Sequence, residues 1–373
     1  MTDAHEPNVA QDMLRRAAGA RSNFEEVVTV PIIAVVMALA LGGVIMLATG
    51  VPPGAIGQSY ASLFSGSVGS IYALSETLTA AAPLILAGLG LAVGFRAGLF
   101  NIGAEGQVLI GGMAAIVVGF SFEGMPSIVH IPLALIAGAL AGAAWAAIAG
   151  WLRAATGAHE VITTIMLNLI SYRLVDYMLR NPPIQKPGRA DPISKSVLPS
   201  AQLPHLLDWL EPSLRVHAGI LLALAAVVFV YWLLFHTTIG FEFRASGYNP
   251  DAARYAGMRS GLIIVAVMAL AGALAGLAGA NQVLGVLGRA SPGFSGGIGF
   301  DAIAVALLGR SHPVGVLLAG LLFGALQAGG RQMQVGAGVS LDLIAVIQGL
   351  IIIFIAAPIL VRAVVPWAFR RQA

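Results

Sequence analysis

Residues Phe95–Gly112 read FRAGLFNIGAEGQVLIGG, and the fold turns on how that stretch interrupts an apolar chain. An apolar run ends at Arg96. A polar break with Gly98, Asn101 and Gly103 follows, and Glu105 then leads into a new apolar run. A carboxylate in a first helical turn complements the positive end of the helix dipole. Gly288–Gly309, GRASPGFSGGIGFDAIAVALLG, repeats the order, with Arg289, Phe294 and Asp301 answering to Arg96, Phe100 and Glu105. Unwound backbone at membrane depth must have its amides and carbonyls satisfied by protein, water or ligand. Paired breaks of this kind point to a transport route.

That these breaks lie in a membrane follows from composition. Of 373 residues, 58% are hydrophobic and only 10% charged, with a mean hydropathy of +0.88. Soluble domains carry about 25% charged residues, so the chain is expected to be an all-α polytopic membrane protein. The 46 glycines suit close helix packing in lipid. The net charge of +3 does not imply nucleic acid, because no basic cluster with interleaved aromatics occurs. Without cysteine there are no disulfides or thiolate metal sites. Lysine occurs only at Lys186 and Lys195, neither preceded by glycine, so no Walker loop exists and any ATP chemistry must reside elsewhere. No nucleophile–base arrangement suggests an enzyme, and HEVIT at His159 has Thr163 where a zinc protease needs its second histidine.

Apolar runs at 29–48, 73–95, 104–120, 130–152, 161–179, 216–236, 261–284, 300–309, 313–328 and 341–362 predict about ten transmembrane segments. The first is too long, and its polar leader (residues 1–28) too extended, for a signal peptide, whose apolar region spans about 7 to 15 residues. The eighth is short and glycine-bounded, as in a broken or re-entrant helix. An even count puts both termini on one side. Twelve arginines then face the cytoplasm, against seven basic residues outside, which favours N-in and C-in. The proline-dense loop 180–215 divides the membrane region, 29–365, into halves 29–179 and 216–365. Five segments in each half make the halves inverted relative to each other.

Polar residues inside the spans have two readings. Glu76, Glu105, Glu160, Asp301 and Asp342 stand near helix ends, where the dipole alone accounts for most of them. Asn168 lies deeper and either bonds a neighbouring helix or lines the path. Arg173 and Asp176, three apart, are expected to form a local ion pair. The glycine pairs 138/142, 272/276 and 320/324 are expected to pack helices within the chain. The path is expected to run past the breaks, along Phe100, Asn101, Glu105, Gln107, Asn168, Phe294 and Asp301. No metal site is expected.

The cytoplasmic segment 240–260 has the chemistry of a docking helix. Asn249 can cap it, Pro250 suits its first position, Asp251 its first turn, and Gly257 its end. GLFNIGAEGQ (Gly98–Gln107), HEVITTIMLN (His159–Asn168), GYNPDAARYAGM (Gly247–Met258) and VALLGRSHPVG (Val305–Gly315) resemble permease subunits of ABC importers. The resemblance is to the nucleoside and simple-sugar branch, related to ribose and branched-chain amino-acid permeases. It implies alternating access driven by separate ATP-binding subunits, a second permease subunit, an extracytoplasmic solute-binding protein, and a multi-pass location in the bacterial inner membrane. It also implies that Gly247, Asn249, Pro250, Ala252, Ala253, Ala256 and Gly257 belong to a helix that docks on the ATPase. A sugar or branched-chain amino-acid permease, and a carrier or channel acting alone, remain alternatives.

Overall fold

The computed structural model describes residues 30–356, and its named elements are helical. In chain order they are α1 (Val30–Ala48), α2 (Pro53–Val68), α3 (Ile71–Arg96), α4 (Ala104–Ser121), α5 (Ser127–Thr156) and α6 (Glu160–Arg180). After a long loop come α7 (Gly219–His236), α8 (Thr238–Tyr248), α9 (Pro250–Tyr255), α10 (Ser260–Gln282), α11 (Ile298–Leu308), α12 (Pro313–Ala337) and α13 (Leu341–Ala356). Among the described residues, six helices are long and apolar enough to cross a membrane: Ile71–Arg96, Ala104–Ser121, Ser127–Thr156, Gly219–His236, Ser260–Leu287 and Pro313–Ala337. The chain is thus a multi-pass membrane protein. Shorter apolar helices occupy the first, eighth and tenth expected runs. The leader 1–28, residue 29, the end of the last run (357–362) and the end of the region 29–365 lie outside the described residues.

The described residues fall into two compact units, one within Met1–Ile56 and Asp342–Ala373, the other Gly57–Leu341. The first holds α1 and most of α13. The second is built around α3. Its most apolar window is 83% buried, against 22% for α5, so α3 is the axis and α5 lies at the periphery. Ser70 caps α3 by accepting the amide of Ala73 at 3.0 Å.

Glycine sets how closely the helices cross. A methyl at Gly142 on α5 would overlap the carbonyl of Gly272 on α10. One at Gly276 would overlap the carbonyl of Gly138, and one at Gly111 on α4 would overlap Gly276 itself. Three backbones therefore meet where side chains cannot fit, and the glycine pairs serve packing inside the chain.

Two expectations need correction. Helix α2 falls in no apolar run, because glycine and serine lower its hydropathy; Pro53 opens it at a position where the missing N–H costs nothing. The direct ion pair of Asp176 is with Arg180, 3.0 Å away and one turn on, not with Arg173. An acid preceding its base by four residues is the favoured helical order.

The loop after α6 is ordered by the second break. Ser194 accepts the Ala290 amide at 2.8 Å and donates its own to the Ala290 carbonyl at 3.0 Å, and the Val197 amide donates to Gly288 at 2.8 Å. At its exposed tip the Arg189 guanidinium, 2.7 Å from Asp191, holds that carboxyl below the usual carboxylate range.

Candidate functional site

The first break is held by side chains that replace helical hydrogen bonds. Its Phe100 amide donates to Glu160 at 3.3 Å, and Arg153 pairs with that carboxylate. Asn101 and Gln107 exchange amide hydrogen bonds at 3.1 Å, while the Asn101 carbonyl also accepts the Gly103 amide at 2.9 Å. From α6, Asn168 accepts the Gly106 amide and donates to the Ile102 carbonyl, each at 2.8 Å. Asn101, Gln107 and Asn168 are all buried. Unwinding has freed backbone groups, and protein amides satisfy them.

The second break comes to the first at Glu105. One carboxylate oxygen accepts the Gly299 amide at 2.8 Å; the other accepts the hydroxyls of Ser295 and, at 3.2 Å, Tyr172. Gly299 abuts the backbone of Ala104 and Glu105 so closely that a methyl would overlap it. The N-terminal ends of α4 and α11 thus meet, with one buried carboxylate between two positive helix ends.

Beside this junction lies a half-open cavity of about 120 Å3, lined among others by Glu76, Arg215, Gln282, Ser295, Gln327 and Arg331. Arg331 and Arg215 stand 3.1 and 3.4 Å from the same oxygen of Glu76. Gln327 donates to Asp301 at 2.9 Å. None of the seven expected path residues lines this cavity, but Glu105 holds Ser295 and Asp301 holds Gln327 in its wall. Phe294 is packed in the core, and Phe100 stacks on Phe95 with centroids 5.0 Å apart while remaining 41% exposed. The π-helical turn Val283–Leu287 that ends α10 supplies Val286 to the wall. In the sequence, Glu76 reads as a helix-end acid, and Arg215 and Arg331 bear only on orientation. The available signal was an acid and an arginine inside or beside apolar runs, each needing a partner. Among the described residues no three His, Asp or Glu side chains are grouped to hold a metal.

The segment 240–260 folds as α8 and α9. Asn249 accepts the Ala252 amide at 3.0 Å, Pro250 fills the first helical position, and Gly257, at φ +88°, ends the helix with the Met258 amide on the Ala253 carbonyl. Tyr248 and Tyr255 are 95% and 97% exposed, while Ala253 is buried. Ala252, Ala256 and Gly257 are exposed. Gly247 serves contact: a methyl there would overlap the Arg96 carbonyl, and Gly98 at φ +72° faces it. Arg96 in turn donates from Nε to the Ser311 carbonyl at 2.6 Å and lies over the Phe235 ring.

Residues 73–356 match the family described as branched-chain amino acid transport system / permease component. The guanosine ABC transporter permease protein NupP of Bacillus subtilis is 42% identical over 336 residues, covering 90% of this chain and 94% of that one. A glucose ABC transporter permease protein of Haloferax volcanii is 40% identical, covering 87% and 86%. The nucleoside ABC transporter permease protein NupB of Lactococcus lactis is 38% identical, covering 91% and 94%. These relatives are transport permeases, not enzymes. No solved structure matches this one. With the break motifs in place and relatives this similar along nearly its whole length, the chain belongs to this family of ABC-transporter permease components.

Proposed function

We propose that this permease imports nucleosides or related simple sugars across a bacterial inner membrane, by alternating access driven by separate ATP-binding subunits. A second permease subunit, as paralogue or copy, completes the pathway, and an extracytoplasmic binding protein delivers solute. The fold then has about ten spans in two inverted halves, with both termini cytoplasmic. The meeting of α4 and α11 at Glu105 supports inversion, because breaks entered from opposite faces bring two helix N-termini together. Relatives named for guanosine, nucleosides and glucose support the solute class. The description of the matched family supports a second reading, branched-chain amino acids.

The observation that carries the coupling role is Gly247. Through it the segment bearing α9 rests directly on the backbone of the first break, so a pull on α9 is transmitted to Arg96 and Ala97. In the assembled importer, Ala256→Arg and Tyr255→Arg change exposed positions. Each is expected to leave the permease folded, release the ATP-binding subunit on purification, and cut guanosine uptake by roughly tenfold or more. Undiminished association and uptake in both variants rule the role out. Leucine uptake without guanosine or glucose uptake selects the second reading.

A further inference from the structure

The cavity beside the junction is built around a carboxylate that is only half used. Glu76 is 7% exposed, and both arginines engage its Oε2. Its Oε1 is buried and has no hydrogen-bond partner. A buried acceptor left unmet is costly, so such a group needs a donor that comes and goes or a function that compensates. Nearby, Pro83 has no N–H, so the carbonyl of Thr79, four residues earlier, lacks its helical donor; both residues line the same cavity. The rest of the lining is rich in donors: the guanidinium groups of Arg215 and Arg331, which also hold Glu76, and the amides of Gln282 and Gln327.

We infer that this cavity is a solute-binding site that reads adjacent hydroxyl groups on a single sugar ring, with the Glu76 carboxylate as the principal acceptor. Each hydroxyl both donates and accepts, so a vicinal pair answers the acceptors on α3 and the donors of the remaining lining together. A carboxylate or phosphate offers no donor to the acceptors on α3, and a branched aliphatic side chain strands every polar group in the wall. Size points the same way. A cavity of about 120 Å3 is comparable to the ~150 Å3 cavity known to enclose one benzene molecule. One five- or six-membered ring fits, while a base attached to that ring must remain at the open mouth. The inference rests on the nucleoside and sugar reading above and sharpens it: the sugar, not the base, is recognised within the membrane.

The test is saturation-transfer NMR on the full-length permease in lipid nanodiscs, with guanosine, D-ribose, guanine and L-leucine as probes. Saturation is expected on the ribose ring protons of guanosine and on free ribose, with none on guanine or leucine. Glu76→Gln keeps the shape of the side chain but removes the charge, and is expected to weaken the ribose signal roughly tenfold or more. Gln282→Ala removes a wall amide, and Pro83→Ala restores a helical donor to the Thr79 carbonyl, both without touching the ion pairs of Glu76. They are expected to weaken it by a smaller factor, and they decide the matter should Glu76→Gln fail to fold. Saturation confined to the base, a silent ribose, transfer to leucine methyls, or signals unchanged in the folded variants overturn the inference. Guanosine uptake by the complete importer separates the two readings. Uptake with a silent ribose ring removes this site and leaves import standing, whereas leucine uptake alone removes both.

Discussion

Asn168 shows how one side chain can replace two helical hydrogen bonds. Its carbonyl takes the Gly106 amide and its amide reaches the Ile102 carbonyl, so it bridges the break and the first turn of α4. Asn168→Ala leaves both backbone groups buried without partners, at about 1–3 kcal/mol each. The purified variant is expected to melt several degrees below the parent; Asn168→Asp, which keeps only the acceptor, is expected to fall between. Equal melting temperatures for all three proteins would mean that water replaces the amide at no cost. The sequence marked this asparagine as unusual but left its role open between bonding and lining. The choice required knowing that α6 passes beside the break, which no local pattern states. Glu76 was harder still. Its arginine partners lie 139 and 255 residues away, and charge pairing at that separation has no signature along the chain.

Elements were far more legible, because an apolar run of helical length in a chain with few charges leaves little choice. Helix α2 escaped for the converse reason: Gly54, Gly57, Ser59, Ser62 and Ser65 make a helix whose residues do not advertise burial. The glycine spacing on α5 and α10 predicted close crossing, and the overlap of Gly142 with the Gly272 carbonyl gives that crossing a testable rigidity. Gly142→Leu puts a side chain into backbone, which cannot repack as a neighbouring side chain does. A destabilisation of at least ~3 kcal/mol is expected, the upper end of the overpacking range. Gly57→Ala, where a methyl meets nothing within 4 Å, is expected to be neutral or stabilising, since alanine is the better helix former. The measurement is the recovery of monodisperse protein with its melting temperature. Equal recovery of both variants would show that α5 and α10 separate freely, contrary to the packing described.

At the scale of the molecule, one chain of contacts joins the exposed helix α9 to the cavity. It runs from Gly247 to the backbone of Arg96 and Ala97, through the first break to Glu105, and from Glu105 to Ser295 in the cavity wall. Such a chain conveys work across a membrane only if its two ends lie on opposite faces. The absence of cysteine makes this directly measurable, since any introduced thiol is the only one in the chain. Trp209, in the loop after α6, is 81% exposed and Tyr255 on α9 is 97% exposed, so cysteine at either position tolerates a label without disturbing the core. With a membrane-impermeant maleimide, Trp209→Cys is expected to react in spheroplasts with the membrane intact, and Tyr255→Cys only after permeabilisation. Reaction of both from outside would place α9 on the wrong face for any cytoplasmic ATPase. The contacts from Gly247 to Glu105 would then be packing alone, and the arginine asymmetry that assigned the orientation would have to be explained by the long loop that carries most of the outer charges.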